Sequence, residues 1–179
     1  MAPNRVHFVP PVTIFYSATM FTVETPRGNK SEQYQHLLAQ ARALMQGERD
    51  RIANAANLSA LLFHALADLN WVGFYFFDGS ELVVGPFQGL PACVRIPLGK
   101  GVCGTAAATA TSQRIDDVDA FPGHIACDSA SRSELVVPLF LAGRLLGVLD
   151  IDSPQPARFD ADDQAGIEAI ANAYLDAIA

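Results

Sequence analysis

A chain of 179 residues, half of them hydrophobic and 17% charged, is long enough for one domain with a sizeable core that needs no metal or disulfide staples. Its net charge of −7, with no basic cluster, excludes a nucleic-acid backbone as partner, because phosphate binding needs gathered Lys and Arg. No stretch approaches the roughly 18 consecutive apolar residues of a membrane span, so no membrane partner is expected.

Residues 1–30 are expected to be a poorly ordered extension. Arg5 precedes an apolar patch, as in a secretory leader, yet Pro10 and Pro11 interrupt it, so secretion is not expected. Three cysteines, Cys93, Cys103 and Cys127, cannot all pair within one chain. Without a leader they point to a reducing cytoplasm and to thiols that are either reactive or merely buried.

Residues 31–179 read as a single domain. Ser31 is the expected N-cap of a first helix, with Glu32 in its first turn and Tyr34, Leu37, Leu38, Ala41, Leu44 and Met45 at helical spacing. A second helix is expected from about Arg51 to Leu69, with Ile52, Ala55, Ala56, Ser59, Leu62, Phe63 and Leu66 on one stripe. Trp71 to Phe77 is a strand by its aromatic content, Asp78-Gly79 a hairpin turn, and Glu81 to Val84 the returning strand. Period-two alternation puts Trp71, Gly73 and Tyr75 on one face, and the glycine between two aromatics predicts a hollow there.

Gly85 to Pro91 breaks the sheet pattern, Val94 to Ile96 is a short strand, and the glycine-spaced Gly99–Gly104 leads into a short helix over Thr105–Thr111. That entry lacks the Gly-Lys-Ser/Thr ending of a phosphate-binding loop, which excludes an NTPase. Arg114 to Val118 is a brief strand. Glu134 to Leu141 and Leu145 to Ile151 form a hairpin, and Asp160 caps a closing helix with Ile167, Ile170, Ala171, Tyr174, Leu175 and Ile178 on its stripe. The order predicts an α+β domain with a central antiparallel sheet and helices packed on one face.

Between the last short strand and the hairpin lies a loop, FPGHIACDSASRS (121–133), rich in turn formers yet holding Phe121, Ile125 and Cys127, which prefer packing to solvation. Cys127 is a candidate nucleophile, with His124 three residues back able to favour its thiolate. Glu134, Asp150 and Asp152 interrupt apolar strands, and desolvating unpaired carboxylates is costly enough to demand a partner or a pocket. Crowded in a sheltered site, such acids repel, so at least one holds its proton and can act as a general acid. Each residue also has a plain structural alternative: Cys93, Cys103 and Cys127 as small buried residues, Trp71 and Tyr75 as core, Asp152 as a turn cap. Zinc held by His124 and the cysteines fits no common spacing, and no metal is expected.

Five motifs carry a resemblance: Asn70-Trp71-Val72-Gly73-Phe74-Tyr75, Gly85-Pro86-Phe87-Gln88-Gly89 with Cys93, Gly101-Val102-Cys103-Gly104, the block FPGHIACD, and the closing GVLDIDS. In order and spacing they resemble the free methionine-(R)-sulfoxide reductases, single-domain enzymes with the GAF fold, over roughly residues 31–175. The resemblance implies that Cys127 attacks the sulfur of free methionine-(R)-sulfoxide and becomes a sulfenic acid. Cys93 then condenses with it, Cys103 being an alternative resolving thiol. Glu134, Asp150 and Asp152 would hydrogen-bond the sulfoxide oxygen, supply its proton and hold the substrate ammonium. Trp71 and Tyr75 would wall the site, and backbone N–H groups around Ile125, Ala126 and Asp128 would hold the carboxylate. It further implies a homodimer, no cofactor, and thioredoxin or another dithiol as reductant. The rival reading is a non-catalytic GAF module sensing a cyclic nucleotide or similar small molecule, which has no need of three thiols near one pocket.

Overall fold

In the computed structural model, residues 28–123 and 129–179 are described. Helices α1 (Lys30–Leu44) and α2 (Arg51–Ala65) lead into strands β1 (Trp71–Phe77), β2 (Glu81–Gly89) and β3 (Arg95–Pro97). Helix α3 (Gly101–Thr109) and β4 (Gln113–Ile115) follow, then β5 (Ser133–Leu141), β6 (Arg144–Ser153) and α4 (Ala161–Ile178). All six strands join one antiparallel sheet in the order β3-β2-β1-β6-β5-β4, so the hairpins β1–β2 and β5–β6 meet at the centre through β1 and β6.

Alternation along these strands sorts the side chains into two cores. Val72, Phe74, Phe76, Leu135, Val137, Leu139, Leu149 and Ile151 face the helices α1, α2 and α4. Each such side chain contributes about 1.5–3 kcal/mol by leaving water, as an upper estimate. Trp71, Tyr75, Val136 and Val148 point the other way and meet Val102, Cys103, Ala106 and Ala107 of α3. The expected α+β sheet is present, with the three long helices on one face and the short α3 covering the opposite one.

Cap chemistry moves several boundaries. α1 starts two residues earlier than expected: Oδ1 of Asn29 accepts from Glu32 N at 3.0 Å, and Glu32 Oε2 accepts from Asn29 N at 2.9 Å. This reciprocal box outcompetes a Ser31 cap, which has no acid three residues on. Asp160 caps α4 as expected, and its partner Asp163 is buried and ties α4 to α1. In α2 the buried stripe is Asn54, Ala55, Leu58, Ser59, Leu61 and Leu62, while Ile52 is 46% exposed, so the helix is rotated from the expected face. Leu58 and Leu61 are as apolar as the residues they displace, so packing against β1 and β2, not periodicity, selects the face.

β2 runs on through Gly85–Gly89 where a break was expected. Gly73 pairs with Phe87 but Tyr75 with Val84, so β2 carries one residue more than β1 across that interval. The bulge absorbs Pro86, which has no N–H to give a ladder. The two-residue turn Ala142-Gly143, both at positive φ, closes the β5–β6 hairpin.

Candidate active site

The α3 face of the sheet is where the acids collect. β6 presents Val148, Asp150 and Asp152 in alternation, and β5 presents Glu134 and Val136 beside them. Glu134 lies directly across from Asp152, and Asp150 across from Val136, so Glu134 and Asp150 are diagonal neighbours whose long side chains can meet. On its other side Asp150 faces Gly73 of β1. Glu134 and Asp150 are buried, at 5% and 6% exposure, whereas Asp152 is half-buried at the end of its strand.

Helix α3 closes this face with a thiol. Cys103 Sγ lies 3.8 Å from Glu134 Oε1, within reach of a thiol hydrogen bond. Cys103, Glu134 and Asp150 each bring one ligand atom within 4.8 Å of the others. Burial pushes all three up, because removing water penalises the charged form. Asp150 rises to about 6. Glu134 lies well above its usual range, from burial first and then from the charges of Asp150 and Asp152. Burial raises both carboxyls, and the Asp150 charge adds to the rise at Glu134, so the pair holds a proton between them. The Cys103 thiol is pushed up by burial and then by Asp150 and Glu134, so it rests protonated. The Tyr75 hydroxyl is raised by burial and then by Asp150, which places it in the same field.

Aromatic rings roof the neighbouring ground. The Trp71 indole stacks on Tyr75 at 5.7 Å and on Phe87 at 5.2 Å between centroids, and its Nε1 donates to the Leu90 carbonyl at 3.1 Å. The hollow expected over Gly73 is filled from within: a Cβ there would run into the Trp71 six-membered ring and Phe87 Cβ. Glycine at this position lets the indole fold down flat beside Asp150's strand position, so the residue shapes a wall and not a cavity.

Of the expected site residues, the structure gathers Glu134, Asp150, Cys103, Tyr75 and Trp71 on one face of the sheet, with Asp152 at its margin. Ile125, Ala126, Cys127 and Asp128, with His124, lie outside the described residues. Cys93 is disulfide-bonded and half-buried against the α3-side core, while Cys103 is free. Sequence reasoning missed Phe87 as a stacking partner and the direct meeting of Cys103 with the acids. The spacing of Cys103 to Ala106 and Ala107 on α3, one small buried stripe, was the available clue. It also missed Asn70 Nδ2 donating to Ser131 Oγ at 3.0 Å, which pins the start of β1 to the end of the 121–133 loop.

No helix among the described residues is long and apolar enough to cross a membrane. The GAF domain matches residues 31–177 of the chain. The chain is 53% identical to a free methionine-R-sulfoxide reductase of Escherichia coli, over 79% of this chain and 86% of that protein. It is 44% identical to a free methionine-R-sulfoxide reductase of Saccharomyces cerevisiae, over 80% and 84% of the two. The X-ray structure of free methionine-R-sulfoxide reductase from Neisseria meningitidis in complex with its substrate superposes with a TM-score of 0.85 at 44% identity, over 89% of this chain and 96% of that one. Such identity across nearly the whole matched length, on a shared sheet and helix arrangement, places the protein: the chain belongs to the free methionine-(R)-sulfoxide reductase family, built on a GAF domain.

Proposed function

We propose that this chain is an oxidoreductase that reduces free methionine-(R)-sulfoxide to methionine, with Cys127 as nucleophile. The observation that carries the reading is the buried Glu134–Asp150 pair, in which crowding and desolvation raise both carboxyls and favour a retained proton. A sulfoxide oxygen cannot leave without a proton, and a carboxyl held neutral in a dry site is a general acid worth about 10²–10⁴ in rate. The Cys127 thiolate attacks the sulfoxide sulfur while Glu134 protonates the oxygen. Two electrons pass from the cysteine sulfur to the sulfoxide sulfur, the S–O bond breaks, and the oxygen ends on Cys127 as a sulfenic acid. Asp150 and Asp152 hold the substrate ammonium. Trp71 and Tyr75 form the apolar wall for the methyl group, and backbone N–H groups at Ile125, Ala126 and Asp128 hold the carboxylate.

The sulfenic acid is the first, reversible rung of cysteine oxidation. Cys93 condenses with it, releasing water and forming a disulfide, which thioredoxin or another dithiol then reduces to two thiols. Cys93 is disulfide-bonded while Cys103 is free, which supports Cys93 rather than Cys103 as the thiol that resolves the sulfenic acid. Cys103, buried and protonated against Glu134, is a poor nucleophile and is assigned no part in ordinary turnover. No cofactor enters. A cytoplasmic homodimer is the setting this reading assumes.

The test offers reduced protein both epimers of free methionine sulfoxide with dithiothreitol. Methionine should accumulate as the R epimer alone disappears, and Cys127→Ser should abolish turnover while still binding substrate. Unchanged turnover in Cys127→Ser, or consumption of neither epimer, overturns the proposal.

A further inference from the structure

We propose that Cys103, Glu134 and Asp150 form a binding site for a borderline divalent cation of the Zn2+ class. The three ligand atoms already lie within 4.8 Å of one another, on two adjacent strands and the helix that covers them. Around zinc, with bonds of about 2.0–2.3 Å, neighbouring tetrahedral ligands stand roughly 3.5 Å apart. The Cys103–Glu134 pair meets that spacing now, at 3.8 Å. Small side-chain rotations bring in the third ligand.

A second observation points the same way. Asp150 Oδ1 is buried and has no hydrogen-bond partner among the described residues. An orphaned buried acceptor is destabilising, and a cation would satisfy it. One soft thiolate with two carboxylates suits Zn2+, Cd2+ or Co2+. Mg2+ and Ca2+ want six or more oxygens, which this wall of Val136, Val148 and Tyr75 does not offer. On binding, the protons on the thiol and Glu134 leave to solvent and the sulfur and carboxylate oxygens bond the metal, with no change of oxidation state. The binding stands apart from the proposed reaction. Its consequence rests on that reading: a metal on Glu134 and Asp150 withholds the general acid and the ammonium site, so metal and sulfoxide exclude each other.

The experiment uses oxidised, untagged protein, in which Cys93 is disulfide-bonded and Cys103 is the free thiol among the described residues. Co2+ titration should raise a thiolate-to-cobalt charge-transfer band that saturates at one equivalent and is displaced by Zn2+. Cys103→Ser should lose the band; Asp150→Asn, which keeps the thiol, should keep it with at least tenfold weaker affinity. No band in the parent protein, a band surviving Cys103→Ser, or undiminished affinity in Asp150→Asn overturns the site, and the Asn variant decides alone if the Ser variant misfolds. In single-turnover reduction by protein reduced beforehand and freed of dithiol, Zn2+ should raise the sulfoxide concentration needed for half the limiting rate and leave that limiting rate unchanged. A band in a protein that reduces neither epimer upholds the metal site and refutes the proposed function; turnover without a band does the reverse.

Discussion

Asp150→Asn should make the protein more stable at neutral pH, by an amount that fades in acid. Burial lifts the Asp150 carboxyl from 3.8 to about 6. Below pH 3.8 both folded and unfolded chains hold the proton, and this group leaves stability untouched. As pH rises from there to about 6, the unfolded chain ionises more readily than the folded one, so stability falls. At about 1.4 kcal/mol per pH unit, the loss comes to about 3 kcal/mol at pH 7.5, of which roughly 1 kcal/mol is already present at pH 4.5. An amide does not titrate. The variant should therefore gain about 2 kcal/mol over the parent between those two pH values, whatever constant offset the new side chain introduces. For a domain of this size that is a relative rise in Tm of about 4–8 °C. Removing the Asp150 charge also relieves Glu134, whose elevation owes part to it, and acts in the same direction. Urea unfolding of both proteins at the two pH values measures the difference. A gap independent of pH, or one that favours the parent at pH 7.5, would refute a buried, proton-shifted Asp150.

Three further outcomes follow from particular contacts. Glu134→Gln, near-isosteric but without a proton to give, should lower kcat by about 10²–10⁴ in stopped-flow methionine release while KM moves only a few fold. Gly73→Ala forces a methyl into the Trp71 ring and Phe87, and overpacking of this kind should cost about 1–3 kcal/mol in urea melts and shift the emission of the chain's one tryptophan. Asp163→Ala removes the buried acceptor of Tyr34, Lys30 and Arg158 and half of the α4 capping box, and should lose roughly 2–4 kcal/mol of unfolding free energy without touching substrate affinity.

Much of the frame was legible because it rests on local rules. Period-two alternation put Trp71, Gly73 and Tyr75 on one face of β1, and the register, which the sequence does not reveal, sets Asp152 and Asp150 across from Trp71 and Gly73 on that face. The Asp160 cap was readable from acids placed in a first turn. What alternation could not give was the depth of the site. Whether Gly73 opens a hollow depends on where the Trp71 indole falls, and that is set by Phe87 across a bulge that a Gly-Pro pair conceals in the sequence. The α2 face was equally hidden, since apolar residues surround that helix on every side and only the sheet chooses among them. Cys103 looked like one small buried residue among others. Its meeting with Glu134 spans 31 positions and requires α3 to cross the sheet face opposite the other helices.

Two buried aspartates separate structural from chemical burial in this fold. Asp163 is sealed at 1% side-chain exposure, and its two oxygens accept from the Tyr34 hydroxyl, the Arg158 guanidinium, the Lys30 ammonium and the Asp160 backbone N–H. Every lone pair has work in holding α1 against α4, so nothing is left for a ligand. Asp150 is buried nearly as deeply, yet one oxygen meets no partner among the described residues and its neighbours are another acid and a thiol. A sequence under no constraint but folding would replace Asp150 with Val, as its neighbours Val136 and Val148 show for the same face. With net stabilities of about 5–15 kcal/mol, a loss of about 3 kcal/mol at one side chain is tolerable only where the rest of the sheet over-supplies packing. The helix-covered face, with its dense apolar core, does so. The unsatisfied acids therefore sit on the other face because it is the one place in this sheet where the penalty is survivable and a small substrate can collect what the carboxyls still have to give.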